Sequence, residues 1–202
     1  MGNNKPPWQR QPHRRNVGTR ELRKSFLIVC EGEKTEPKYF QGFRINKNVV
    51  EISIKGFGYN TRSLVNAAIS LKEERDYDQV WCVFDRDSFP AQEFNAAFEI
   101  AANNDIQVAY SNEAFELWYL LHFHFYESAI KRKEYWKILT KLPGHKYEKN
   151  SDTIYDELLN LQSDARRNAK RLLSNYTQSN PERDNPSTTV HLLVEELNKY
   201  VI

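Results

Sequence analysis

Two apolar runs that end in carboxylates constrain this chain more than any other feature. Ser25–Glu36 reads SFLIVCEGEKTE and Val80–Asp87 reads VWCVFDRD. Each begins with aliphatic, β-branched or aromatic residues without polar alternation, as in a strand buried on both faces, and the apolar character stops at Glu31 or Asp85. Two such strands side by side carry acidic side chains to one edge of a sheet. Glu31, Asp85 and Asp87 in a partly desolvated cleft would repel one another, so the cluster persists only if a cation or shared protons neutralise it. Carboxylate oxygens without a His or Cys cluster favour magnesium or manganese over zinc.

Between and after these runs the pattern alternates. Gly32 lets the backbone turn sharply after the first strand. A helix then starts near Thr35 or Glu36, with Thr35 as the expected N-cap and Pro37 in the first turn, where its missing N–H is harmless. Val49–Lys55 alternates as a second strand, and Thr61–Arg75 has helical periodicity through Leu64, Val65, Ala68 and Leu71. The strand Gln79–Phe84 presents Asp85 and Asp87, which an extended chain places on one side with Arg86 on the other. A helix over Ala91–Asn103 and a buried strand over Ile106–Ser111 follow. Next, Ser111 or Asn112 is positioned to cap a helix whose first turn holds Glu113 and Glu116. Capping and the helix dipole account for one of these glutamates better than for both.

Strands alternating with helices predict an α/β fold with a mainly parallel sheet, whose ligands gather at the carboxyl ends of the strands. From Ser128 onward the pattern is helical, near Arg132–Leu142, Asp152–Leu161, Asp164–Asn175 and Ser187–Val201, with loops at Pro143–Gly144 and Ser179–Pro186. The predicted organisation is a disordered basic arm over residues 1–20, an α/β core over 21–127 and a helical extension over 128–202 packed on that core.

The charge is uneven. Residues 1–24 carry seven basic residues against Glu21 alone, a net of +6, so a whole-chain charge of +2 leaves −4 on residues 25–202. Arg14, Arg15, Arg20, Arg23 and Lys24 are candidates for contacting nucleic-acid phosphates, with Trp8 available to stack on a base; the alternative is a solvated tail. Cys30 and Cys82 lie inside the apolar runs without zinc-like or redox spacing and read as buried thiols of a cytoplasmic protein. No apolar run is long enough for a membrane span, and the N-terminus is too polar for a secretion signal. His122 and His124 fall among Leu121, Phe123 and Phe125 on what reads as a buried helix. Their spacing of two puts them on different helical faces, and His191 reads as a packing or capping residue.

Four stretches carry a family resemblance: FLIVCEGEKTEPKYF over Phe26–Phe40, VFDRDS over Val83–Ser88, SNEAFELWYLLHF over Ser111–Phe123, and NPSTTVHLLVEEL over Asn185–Leu197. With these the chain resembles the RloB family, a branch of Toprim-like proteins related to OLD-type nucleases. The resemblance implies a Toprim-like, Rossmann-like fold and a site made of one glutamate after the first strand plus an Asp-x-Asp after a later one, here Glu31, Asp85 and Asp87. It also implies work beside an AAA- or ABC-type ATPase in bacterial anti-phage defence. The family pattern has a proline where this chain has Glu113, which turns the match toward Glu116. The Ser-x-Glu of OLD-type relatives instead fits Ser111 and Glu113, so the two glutamates compete as the extra ligand.

The expected activity is metal-dependent cleavage of phosphodiester bonds in DNA or RNA, tRNA included. Mg²⁺ or Mn²⁺ held by Glu31, Asp85 and Asp87 would polarise a phosphodiester oxygen, and a second ion near Asp87 and Glu113 or Glu116 would stabilise the leaving oxygen. Lys34 or Arg86 would offset the charge of the pentavalent phosphate. Glu33 and Glu36 read first as surface or capping residues. Two other readings stay open: a non-catalytic metal- or nucleic-acid-binding subunit of an ATPase-associated complex, and a primase- or topoisomerase-like strand transfer, for which no dedicated tyrosine context is visible. The sequence leaves the oligomeric state open, a homo-oligomer included.

Overall fold

The strand β1 (Lys24–Cys30) is flanked on both sides and buried on both faces. Its neighbours are β2 (Val50–Gly56) and β3 (Gln79–Asp85), both parallel to it, and β4 (Gln107–Asn112) continues the parallel sheet beyond β3. The computed structural model describes residues 23–87, 90–142 and 147–202. The predicted arm, with Arg14, Arg15, Arg20 and Trp8, lies outside the described residues.

Alternation along β1 divides the core in two. Phe26, Ile28 and Cys30 join Trp81, Val83 and Ala109 on one face, while Leu27 and Val29 join Val80, Cys82, Phe84 and Tyr110 on the other. The second face is covered by α2 (Thr61–Glu74) and α3 (Ala91–Asn103) through Leu64, Val65, Ala68, Phe94, Ala97 and Ala101. The first face receives α1 (Thr35–Gln41), α4 (Glu116–Phe123), α5 (Arg132–Leu139), α6 (Ile154–Leu158), α7 (Gln162–Ser174) and α8 (Val190–Asn198). Parallel strands buried on both faces and crossed over by helices make a Rossmann-like α/β sandwich. β2 lies at the edge of the sheet and is only partly covered, as the polar alternation of its sequence requires.

The elements depart from the sequence expectations at four places. The N-cap of α1 is Lys34, without a side-chain capping bond, so Thr35 is the first helical residue; its hydroxyl donates to Asn150 Oδ1 at 2.7 Å. Neither Ser111 nor Asn112 caps α4. Both belong to β4, and the helix begins only at Glu116 after Phe115, leaving Glu113 outside it. The segment predicted as a helix from Ser187 opens as a fifth strand, β5 (Ser187–Thr188), antiparallel to β4. Ser111 Oγ and Thr188 Oγ1 lie 3.0 Å apart, and the Thr188 hydroxyl donates to the Tyr110 carbonyl at 2.9 Å, so hydroxyl pairing substitutes for apolar packing in this two-residue strand. Finally, the chain is not extended at Asp87, whose φ is +25°.

Cys30 and Cys82 are free, and burial pushes both thiols up, Cys82 to about 12. Among the described residues no helix is long and apolar enough to cross a membrane.

Candidate functional site

The carboxyl ends of β1 and β3 are tied together beyond the strands themselves. Glu31 N–H donates to the Val83 carbonyl at 2.8 Å, and Asp85 N–H donates to Glu31 Oε2 at 3.1 Å. The loop after β2 closes over this turn, with Gly58 N–H donating to the Glu31 carbonyl at 2.8 Å. Close packing fixes the path: a Cβ on Gly56 would lie 2.6 Å from the Gly32 carbonyl oxygen, and one on Gly32 would lie 2.1 Å from Glu36 Oε2. On the far side, Arg86 N–H donates to the Ser111 carbonyl at 2.8 Å and Asp87 N–H to the Glu113 carbonyl at 3.2 Å, so β4 positions the Asp-x-Asp loop.

Two helices add their own acids. Tyr119 on α4 donates its hydroxyl to the Thr35 carbonyl at 3.3 Å, and Tyr39 on α1 meets Phe115, Trp118 and Tyr119 with ring centroids 5.9, 6.3 and 5.8 Å apart. These contacts hold the first turns of α1 and α4 together, and those turns carry Glu36 and Glu116. The cleft of about 260 Å³ at this edge is lined by Glu31, Gly32, Glu36, Gly58, Tyr59, Asp85, Asp87 and Arg132. Asp85, Glu36 and Glu116 are only 3, 3 and 5 % exposed. Each has one buried carboxylate oxygen without a hydrogen-bond partner: Asp85 Oδ1, Glu36 Oε2 and Glu116 Oε2. The other Glu116 oxygen accepts from the Tyr147 hydroxyl at 3.4 Å.

Arg132, the first residue of α5, supplies the positive charge. Its Nη2 lies 3.3 Å from Asp85 Oδ2, and its Nη1 is bonded to Asp87 Oδ2. Burial opposes its charge, but Asp85, Glu116, Asp87 and Glu36 outweigh burial and raise its pKa. One guanidinium does not neutralise the set. Burial first, then Glu36, Glu31 and Glu116, hold Asp85 well above the usual carboxylate range against the pull of Arg132. Glu36 is raised by burial and by Glu116. Glu31 is pushed to about 7, mainly by burial, with Glu36 and Asp87 adding to it and the Asp85 N–H and Arg132 opposing it.

The structure sorts the sequence candidates. Glu31, Asp85 and Asp87 share the cleft with Glu36; Glu116 is buried and does not line it, but lies near enough to raise Asp85 and Glu36. Glu113 lines a neighbouring cleft of about 450 Å³ with Arg86, Asp87, Lys131, Glu182 and Arg183. Arg86 donates to the Asp87 carbonyl at 2.9 Å and its guanidinium lies 5.6 Å from the Phe94 ring centre. Lys34 is exposed in a recess on the other side, with Glu33, Glu36, Arg132 and Lys149. Arg23 and Lys24 lie at the amino end of β1. The seven-residue strand separates them from the cleft by roughly 20 Å, and Lys24 Nζ donates to the Tyr200 hydroxyl at 3.2 Å. His122 is a core residue: its Nδ1 lies 2.8 Å from the Trp118 carbonyl, and burial lowers its pKa to about 4. His191 is buried and lowered likewise, mainly by burial.

Sequence reasoning missed Arg132 and undervalued Glu36. Only the position of Glu36 five residues after Glu31, one turn into the following helix, hinted at the second. The donor set is made of carboxylate oxygens, the kind that suits a hard divalent cation. Among the described residues no three acidic, His or Cys side chains stand in a metal-ligating arrangement.

Fold and site together define a Rossmann-like α/β protein with an acidic cleft at the carboxyl ends of its parallel strands. Residues 26–197 match the family described as RloB-like protein, and the chain belongs to that family. Neither a curated protein nor a solved structure matches it.

Proposed function

We propose that this protein is a Mg²⁺- or Mn²⁺-dependent nuclease that cleaves phosphodiester bonds of DNA or RNA, tRNA included, as the effector of an anti-phage system with an ATPase partner. The observation that carries the chemistry is the set of unpartnered buried oxygens on Asp85, Glu36 and Glu116 beside Glu31. Leaving buried carboxylate oxygens unsatisfied is costly, and a site that binds a cation relieves it. Glu31, Asp85, Asp87, Glu36 and Glu116 would hold the ion. When bound, it would neutralise these acids and polarise the scissile phosphate.

The remaining work falls to the chain. Glu31, which lines the cleft beside Asp85, is suited to orient an attacking water there. Arg86 and Lys34, on either side of the acids, place positive charge where a nucleic-acid backbone would pass. The defence role and the ATPase partner rest on the family resemblance alone.

Cleavage of duplex DNA, single-stranded DNA and total tRNA, each with Mg²⁺, Mn²⁺ or EDTA, tests this reading, with and without a co-expressed ATPase. The expected result is metal-dependent cleavage that falls by about a hundredfold or more in Asp85→Asn. Metal-dependent cleavage at the wild-type rate in that variant would refute it. A second reading, a non-catalytic nucleic-acid-binding subunit, is favoured by one observation: Arg132 already bridges Asp85 and Asp87. On that reading the wild type and Asp85→Asn bind substrate equally and neither cleaves.

A further inference from the structure

The contact between Arg132 and the aspartates is unequal in burial. The Asp85 side chain is 4 % exposed, whereas that of Arg132 is 41 % exposed. Arg132 reaches the carboxylates from the outer end of the cleft, and it also lines the adjoining recess formed by Gly32, Glu33, Lys34, Glu36, Lys149 and Asn150. The guanidinium uses one nitrogen on each aspartate instead of a two-armed fork on one carboxylate, so neither contact has the bidentate geometry that makes Arg–carboxylate pairs strong. It also leaves Asp85 Oδ1, Glu36 Oε2 and Glu116 Oε2 without partners. Arg132 therefore spans two acids as a divalent ion does, but with half the charge and fewer contacts.

From this geometry we infer that Arg132 is an exchangeable counter-ion: it bridges Asp85 and Asp87 until a divalent cation takes those oxygens, and is then released into the adjoining recess. The inference rests on the metal-dependent reading above. Withdrawal is eased because the Arg132 side chain as a whole is already 41 % exposed and its stem is long and flexible. Released at the mouth of the cleft, the planar guanidinium would face the substrate, where it is suited to a phosphate. The same residue thus guards the acids from mutual repulsion in the ion-free protein and becomes a substrate contact in the loaded one. A ligand that displaces an internal competitor binds more tightly once the competitor is removed.

Calorimetric titration of Mn²⁺ into the full-length wild type, Arg132→Ala and Arg132→Lys tests this directly, with melting curves in EDTA to establish that each variant is folded. Arg132→Ala should bind Mn²⁺ about tenfold or more tightly than wild type, and Arg132→Lys, which keeps the charge but not the two-nitrogen span, by an intermediate factor. In EDTA, Arg132→Ala should melt below wild type, and saturating Mn²⁺ should raise its melting temperature more than that of wild type. If Arg132→Ala does not fold, Arg132→Lys alone decides, by tighter or unchanged binding. Equal or weaker affinity in the folded variants would overturn the exchange while leaving the metal site standing. Absence of Mn²⁺ binding in wild type and both variants would overturn the exchange and the metal-dependent reading together.

Discussion

Replacing Glu31 by Gln removes one ionisable carboxyl while keeping an oxygen to accept the Asp85 N–H. In the folded protein this carboxyl is raised from 4.5 to about 7, mainly by burial. Between those two values the folded protein holds a proton that the unfolded chain has released, so unfolding free energy falls as pH rises through this window. At about 1.4 kcal/mol for each tenfold change, the full effect above pH 7 is about 3 kcal/mol. Glu31→Gln does not ionise, so in EDTA it should match wild type near pH 4 and exceed it by about 3 kcal/mol at pH 8. For a chain of this size that is roughly 6 to 12 °C in melting temperature. Urea denaturation followed by circular dichroism at half-unit steps from pH 4 to 8 measures the difference. Titrating groups remote from Glu31 contribute equally to both proteins and cancel, whereas Asp85, which Glu31 helps to raise, is relieved in the variant and adds to the difference in the same direction. A difference that does not change with pH, or a variant less stable than wild type at pH 8, would refute the assignment of Glu31 as a buried, mutually repelled acid.

His122 behaves in the opposite sense. Its pKa is lowered to about 4, so the unfolded ring takes up a proton between about 6.5 and 4 that the buried ring refuses, and its contribution to stability is lost as pH falls through that range. Nitrogen-detected NMR at pH 5.5 should show a neutral His122 ring with the proton on Nδ1, donated to the Trp118 carbonyl; a charged ring would contradict its burial. Gly56→Ala should destabilise the fold by about 1–3 kcal/mol in urea, because the added methyl meets the backbone of Gly32 and Glu33, which has no free rotamer to turn aside. A midpoint unchanged from wild type would show that the β1–α1 turn has slack. Trp118→Ala, in the fully buried aromatic cluster around Tyr39, should cost about 3–5 kcal/mol in thermal melting; a loss under 1 kcal/mol would mean that α1 and α4 are not held by that cluster.

Where a residue's role followed from the local pattern, the sequence was sufficient. The unbroken apolar runs Phe26–Cys30 and Val80–Phe84 could be satisfied only by strands buried on both faces, and Glu31 and Asp85 then had to emerge at the same edge of a parallel sheet. Pro90, standing just before α3, is likewise a local effect. The β5 strand was not legible. Two hydroxyl residues carry no hydrophobic period, and their pairing with Ser111 and Tyr110 exists only when segments 77 and 78 residues apart meet.

The site divides along the same line. Its identity as a group of hard oxygen donors was set by composition at the strand ends, which short-range sequence encodes. Which acids gather at the cleft was decided by packing: Glu36 and Glu116 come together because Tyr119 and Tyr39 join α1 to α4, and Glu113 is turned aside because its helix starts three residues later. Arg132 lies 45 residues beyond Asp87, among several other basic residues, and nothing local distinguishes it. Its pairing with Asp85 and Asp87 is a long-range electrostatic contact, and charges separated so far along the chain acquire partners only once the fold has brought them within reach.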